Sequence, residues 1–218
     1  EKVERSPVAC LDSRAERLMM EEVDRARESG ESLGGVFEVW VWGLVPGLGG
    51  FGSPADRIDG RLMGAVGSIP AVKGVEIGLG FGAATLAGSQ VHDPFVRLED
   101  DRGAYVARPT NRAGGIEGGI TNGCPVIVRA AMKPIPTLTR PLPSVDLRTL
   151  EAAAAHKERS DVMAVPAARV VGEAMVAIVL ASAYLEKFGG DSLSELERAL
   201  AAYIVGLEER GLWRSSSH

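Results

Sequence analysis

Cysteine is almost absent from this chain: Cys10 and Cys124 are the two in 218 residues. They form no CxxC pair and cannot build a disulfide framework, so a reducing cytoplasm is the simplest expected compartment. Histidine is scarce as well. His92, His156 and His218 stand apart from one another, which leaves a tetrahedral zinc site short of donors, and no metal is expected. No basic run occurs and the net charge is −5, which argues against nucleic acid as a partner. The charged start (Glu1, Lys2, Glu4, Arg5) lacks the character of a signal peptide. One apolar run, Met163 to Leu185, is long enough to suggest a membrane span. Pro166, Arg169 and Glu173 interrupt it. Arg169 and Glu173 lie four apart on one helical face and would be costly in lipid, so a buried core helix is expected and no membrane partner.

Glycine is what the chain has in excess: 27 residues, well above an average usage of roughly 7%. Such use implies tight turns or backbone that comes close to a ligand. Hydrophobic residues at 45% and charged residues at 24% are otherwise ordinary for a globular protein.

Ser13 and Glu16 read as a capping box for a helix with Ala15, Leu18, Met19, Val23 and Ala26 on one face. Val36 to Trp42 alternates as a strand does. Ser53 and Pro54 predict an N-cap and first helical residue, with Ile58, Leu62, Val66 and Ile69 as the apolar stripe. Val72 to Ile77 and Cys124 to Met132 are predicted strands. Lys133 to Pro143 holds four prolines and must be largely extended. A long apolar helix begins near Pro166 and ends before Gly189. Ser192 and Glu195 then open a last helix with Leu193, Leu196, Leu200, Tyr203, Ile204 and Leu207 inward. Strands and helices mix without regular β-α-β alternation, so the expected class is α+β, as a single domain over 1–218.

Gly78, Gly80 and Ala83 match the G-x-G-x-x-A dinucleotide fingerprint after a strand. That fingerprint needs a helix whose amides aim at a pyrophosphate, and Gly88, Ser89 and Pro94 break the chain too soon. A nicotinamide oxidoreductase is therefore the alternative, and a non-catalytic scaffold module is another. Within Thr110 to Gly123 (TNRAGGIEGGITNG) the glycines exclude a stable helix. Spacing alone leaves two readings open there, backbone approaching something flat or anionic, or a pair of linked turns.

The wider string resembles the chorismate synthase family. The similar blocks are SLGGVFEVWVWGLVPGLG from Ser32, SIPAVKGVEIG from Ser68, the glycine loop with CPVIVRAAMKPIPT to Thr137, and HKERSDVMAV from His156 continuing through VPAARVVGEAMVAIVLASAYLEKFGGDSL. They are co-linear and cover nearly the whole chain. The resemblance implies a β-α-β sandwich-like fold with antiparallel sheets flanked by helices, incomplete here. It also implies a lyase that makes chorismate from 5-enolpyruvylshikimate-3-phosphate by 1,4-elimination, in the last step of the shikimate pathway, with reduced FMN as cofactor. A homo-oligomer, expected as a tetramer, goes with it. The family's N-terminal half, with its histidines and most substrate arginines, precedes the matched region, so this chain alone is expected to be inactive.

The family's flavin contacts carry over onto Pro70, Ala71, Gly118, the run Lys133, Pro134, Ile135, Pro136 and Thr137, and Arg159. Pro70 stands where the family usually has an amide residue, which removes a donor. Asp161 resembles the catalytic aspartate, a general base near the ring proton to be lost. Arg159 and Asp161 are also implied in substrate binding. Ser160 stands where many members have histidine. His92 is read as a loop or interface residue.

Overall fold

A computed structural model describes residues 2–156 and 161–214. After one helical turn, α1 (Lys2–Arg5), the chain forms α2 (Ser13–Ser29). The cap expected at Ser13 falls one residue earlier. Asp12 is the N-cap, and its Oδ1 accepts the Ala15 N–H at 2.7 Å; a carboxylate also complements the positive end of the helix. Val23 and Ala26 are buried as expected, whereas Leu18 and Met19 are exposed.

Strand β1 (Gly35–Val41) buries Phe37 and Val39 and turns Val36 and Trp40 outward. Ser53 and Pro54 do not start a helix. They begin a turn in which the Asp56 N–H meets the Ser53 carbonyl at 3.1 Å, and α3 runs Ile58–Gly67. Its first N–H, on Ile58, bonds the Gly119 carbonyl at 2.9 Å, an acceptor that no local signal announces. The stripe itself holds: Ile58, Leu62 and Val66 are at 0% exposure.

Next come β2 (Val72–Ile77), a 3₁₀ segment over Gly80–Thr85, α4 (Gly88–Val91), β3 (Val96–Asp100), β4 (Gly103–Ala107), β5 (Ile116–Glu117), β6 (Ile120–Thr121) and β7 (Val126–Met132). Short strands β8 (Pro143–Val145) and β9 (Ala152–Ala154) precede α5 (Val165–Phe188) and α6 (Leu193–Glu209). One three-stranded sheet has the order β1-β7-β2, and β3–β4, β5–β6 and β8–β9 are antiparallel pairs. The α+β class expected from the missing β-α-β alternation is the one observed.

Helix α5 departs from expectation in one respect. Val165, Ala168, Val176, Leu180 and Ala183 are buried at helical spacing, but Val170, Val171, Ile178 and Leu185 are exposed. It is long and apolar enough to cross a membrane by length and composition, and 28% of its most apolar window is buried. At α6, Ser192 is the N-cap without a side-chain cap bond, while Glu195 reaches the Asp191 N–H at 2.7 Å. Leu207 is buried there and Leu193 is exposed.

The chain separates into two compact units. The first comprises Glu1–Phe37, Ile69–Gly74 and Ala131–Val171; the second comprises Glu38–Ser68, Val75–Ala130 and Gly172–His218. Core side chains wholly removed from solvent, among them Val45, Leu48, Ile58, Leu62, Val126, Val128 and Val176, belong to the second unit. The first unit buries Val23, Ala26, Ile69, Val72, Val165 and Ala168.

Candidate active site

In the first unit the site starts from a turn. The Val72 N–H bonds the Ile69 carbonyl at 3.1 Å, with Pro70 and Ala71 between them. Pro70 suits the second place of such a turn, and the third demands positive φ. Ala71 occupies it at φ +69°, a left-handed conformation that costs an alanine roughly 1–2 kcal/mol. Its carbonyl is thereby presented to the Lys133 N–H, which it meets at 2.9 Å. Pro70 and Ala71 are thus joined to the start of the Lys133–Thr137 run by main-chain geometry.

The residues Ser32 to Gly34 anchor that run and the Asp161 segment together. Ser32, at 9% exposure, donates its Oγ hydrogen to the Ile135 carbonyl at 2.6 Å. The Leu33 N–H bonds the Val162 carbonyl at 2.7 Å, and Leu33 forms a parallel bridge with Met163. Gly34 must be glycine, because a Cβ there would lie 2.3 Å from the Met132 carbonyl oxygen and 3.0 Å from Pro134 Cδ. Lys133, Pro134 and Pro136 are exposed, while Ile135 and Thr137 are partly buried. Among the described residues Lys133 Nζ makes one long contact, 3.5 Å to the Pro134 carbonyl. Asp161 is exposed, four residues before α5 begins. Arg159 and its neighbour Ser160 lie outside the described residues.

Gly118 belongs to the second unit, at the tip of the β5–β6 hairpin. It has φ +60°, is exposed, and a Cβ built on it meets nothing within 4 Å. Its neighbour Gly119 differs: a Cβ there would fall 2.7 Å from both Arg57 Cγ and the Gly50 carbonyl oxygen. The two readings of the glycine loop therefore divide between positions. Linked turns and close packing account for the buried Gly114, Gly115 and Gly119, and exposed main chain in open space describes Gly118.

The root of that hairpin is Asp93, which stands beside His92 in the sequence and is given no role by it. It is at 7% exposure. Its Oδ1 accepts the Thr110 hydroxyl at 2.6 Å and the Arg112 N–H at 2.9 Å, and its Oδ2 accepts the Ala113 N–H at 2.9 Å. Burial pushes its carboxyl up, but these donors together with the Arg108 charge outweigh burial and hold it below the usual carboxylate range. Its folded-state pKa is depressed, so its stabilisation is complete above the unfolded value of about 3.9 and is lost as pH falls through the lower folded value. We expect thermal midpoints measured from pH 5 downward to fall more steeply in the native protein than in Asp93→Asn. Parallel curves would show that Asp93 contributes nothing to acid sensitivity. Adjacent to this cluster, burial pushes the Cys124 thiol up, which makes it a poor nucleophile. His92 is exposed in the loop after α4.

The dinucleotide fingerprint is not built. The segment after Gly78 is a six-residue 3₁₀ stretch, Gly80–Thr85, in place of an α-helix. Gly78 is glycine for internal reasons, since a Cβ would sit 2.3 Å from the Arg112 carbonyl oxygen and 2.5 Å from the Gly114 nitrogen.

Each unit offers groups whose chemistry suits a flavin. Gly118 offers main chain in open space, Lys133 a solvent-facing cation, and Pro134 and Pro136 stiffen the segment behind it. The roles of Ser32, Asp93 and Arg108 leave no sign in the sequence. Their partners lie 103, 17 to 20 and 15 residues away, beyond any short motif.

Comparison with known proteins identifies the family. The family model described as chorismate synthase matches residues 1–185. The chorismate synthase of Desulforamulus reducens is 59% identical over 195 residues, covering 89% of this chain and 50% of that protein. That of Mycobacteroides abscessus is 52% identical over 215 residues, covering 99% of this chain and 51% of that protein. A crystal structure of chorismate synthase superimposes with a TM-score of 0.78 at 45% identity, covering 95% of this chain and 53% of that one. The chain thus spans about half the length of the relatives it matches, in their C-terminal portion. With a family match over residues 1–185, more than half-identical relatives and a shared fold, the chain belongs to the chorismate synthase family.

Proposed function

We propose that this chain supplies flavin-contacting segments and the general base of a lyase that converts 5-enolpyruvylshikimate-3-phosphate to chorismate. In that 1,4-elimination the ring C–O bond to phosphate breaks, a ring proton leaves, and a new double bond forms, with no net oxidation. When bound, reduced FMN lends electron density to the reaction and recovers it, so it is not consumed.

The observation that carries the reading is the shared anchor at Ser32–Leu33, which holds the Lys133–Ile135 segment and the Val162–Met163 segment in one unit. A cation for an anionic ligand and a carboxylate for a proton are thereby mounted on the same support. Lys133 neutralises negative charge on the ligand. Gly118 lets main chain approach it without a Cβ between them. Asp161 accepts the ring proton on a carboxylate oxygen, and among the described residues nothing hydrogen-bonds that carboxylate. Arg159 supplies a planar fork for phosphate or carboxylate. As half the length of its relatives, the chain carries part of this centre, and we expect chorismate formation to require the remainder. A cytoplasmic homotetramer completes the proposal.

Lys133→Gln in the complete enzyme tests the cation's role by flavin titration. We expect FMN to bind about 10- to 100-fold more weakly, the loss of a hydrogen bond to a charged group. Lys73→Gln, which removes another exposed lysine of the same unit, should leave affinity unchanged. Equal affinities for native protein and Lys133→Gln would remove Lys133 from the site.

A further inference from the structure

We propose that Asp93 is a positioning residue for the ligand-facing hairpin, acting on Gly118 by two separate routes; this rests on the reading of Gly118 as a flavin contact. The first route is through its side chain. Both carboxylate oxygens are occupied by the Thr110 hydroxyl and the Arg112 and Ala113 N–H groups, which fixes the turn just ahead of Gly114 and Gly115. Asn111 holds the next step, with its Oδ1 on the Gly115 N–H and its Nδ2 on the Pro125 carbonyl, both at 2.8 Å. The buried Ile116 then opens the hairpin, two residues before Gly118.

The second route leaves from the Asp93 main chain. Its carbonyl accepts Arg108 Nη1 at 2.6 Å, and Arg108 Nη2 pairs with Glu117, the residue next to Gly118, at 2.5 Å. Arg108 is at 11% side-chain exposure and its guanidinium lies 4.0 Å from the centre of the Phe95 ring. A guanidinium spans two acceptors in fixed directions, which an ammonium cannot do. Asp93 thus grips the hairpin before its tip through the carboxylate and at its tip through Arg108. On its far side Gly118 is followed by Gly119, whose carbonyl takes the Ile58 N–H at 2.9 Å, so the ties from Asp93 set the approach to Gly118 from the Glu117 side.

Asp93→Asn keeps the shape but turns one acceptor into a donor facing an N–H, which breaks the first route alone. In the complete enzyme we expect FMN affinity to fall about 10- to 100-fold, as when a buried bond to a charged group is lost. Turnover at saturating FMN should stay within a few fold, because Asp161 is mounted elsewhere. Arg108→Lys breaks the second route and should weaken FMN in the same way; it serves alone if Asp93→Asn does not fold. A purely structural Asp93 would lower the thermal midpoint and leave the FMN Kd unmoved in both variants, and that result would overturn the proposal. Gly118→Ala, carried in parallel, reports on the underlying reading. If Gly118→Ala weakens FMN and the other two variants do not, the positioning role alone fails. If Gly118→Ala leaves FMN affinity intact, the flavin contact itself is wrong and the proposal falls with it.

Discussion

Replacing Asp161 by Asn in the complete enzyme is expected to lower turnover by roughly 10²–10⁴, the loss typical of a missing general base. The side chain is exposed and sits four residues before α5, so it neither caps that helix nor packs in a core. Its segment is nonetheless held, because the next residue, Val162, gives its carbonyl to the Leu33 N–H. An amide preserves shape and one acceptor but cannot take a proton. Stability should therefore change by no more than about 0.5 kcal/mol, as for other exposed substitutions, and FMN affinity should change little. Steady-state turnover with reduced FMN under anaerobic conditions measures the effect. Native turnover in this variant would exclude Asp161 from the chemistry, and an equal loss of flavin affinity would reassign it to binding.

Gly78→Ala carries the largest expected effect on stability. At φ +59° an alanine there loses roughly 1–2 kcal/mol to left-handed strain. Its Cβ would also stand 2.3 Å from the Arg112 carbonyl oxygen and 2.5 Å from the Gly114 nitrogen, both main-chain atoms. Neither can swing aside as a flexible side chain could. The Arg112 oxygen accepts the Leu79 N–H at 2.9 Å, and the Gly114 carbonyl takes the Ile127 N–H at 3.2 Å. Overpacking of this kind adds about 1–3 kcal/mol, for a total loss of about 2–5 kcal/mol by denaturant or thermal unfolding. Gly82→Ala is the contrast: a Cβ there meets nothing within 4 Å, so its midpoint should stay close to native. A loss at Gly78 below about 1 kcal/mol would show that the two crossing segments yield more easily than close packing allows.

The stripe Ile58, Leu62, Val66 and the strand Val72–Ile77 were readable because a 3.6 or 2.0 period reports directly which face is buried. Helix starts were less readable. Asp12 took the cap expected of Ser13, and α3 began at Ile58 because the Gly119 carbonyl, distant in sequence, supplied its first acceptor. The half-exposed α5 misled in another way, since composition measures apolar content and not which surfaces receive it.

By itself the sequence determined the α+β class, the family, and which residue types stand ready for chemistry: a lysine before two prolines, an aspartate ahead of a helix, a glycine-dense loop. These depend on local spacing and on blocks whose order survives as a string. Only the tertiary structure decided which glycine lies in open space and which is packed, for Gly118 and Gly119 are neighbours with the same backbone hand and opposite surroundings. It likewise decided that Asp93 is a buried anchor and that Ser32 and Leu33 join two segments. The physical reason is one of range. Capping and periodicity act within a few residues, whereas burial of a carboxylate or approach of two main chains is set by partners that meet only when the chain has folded.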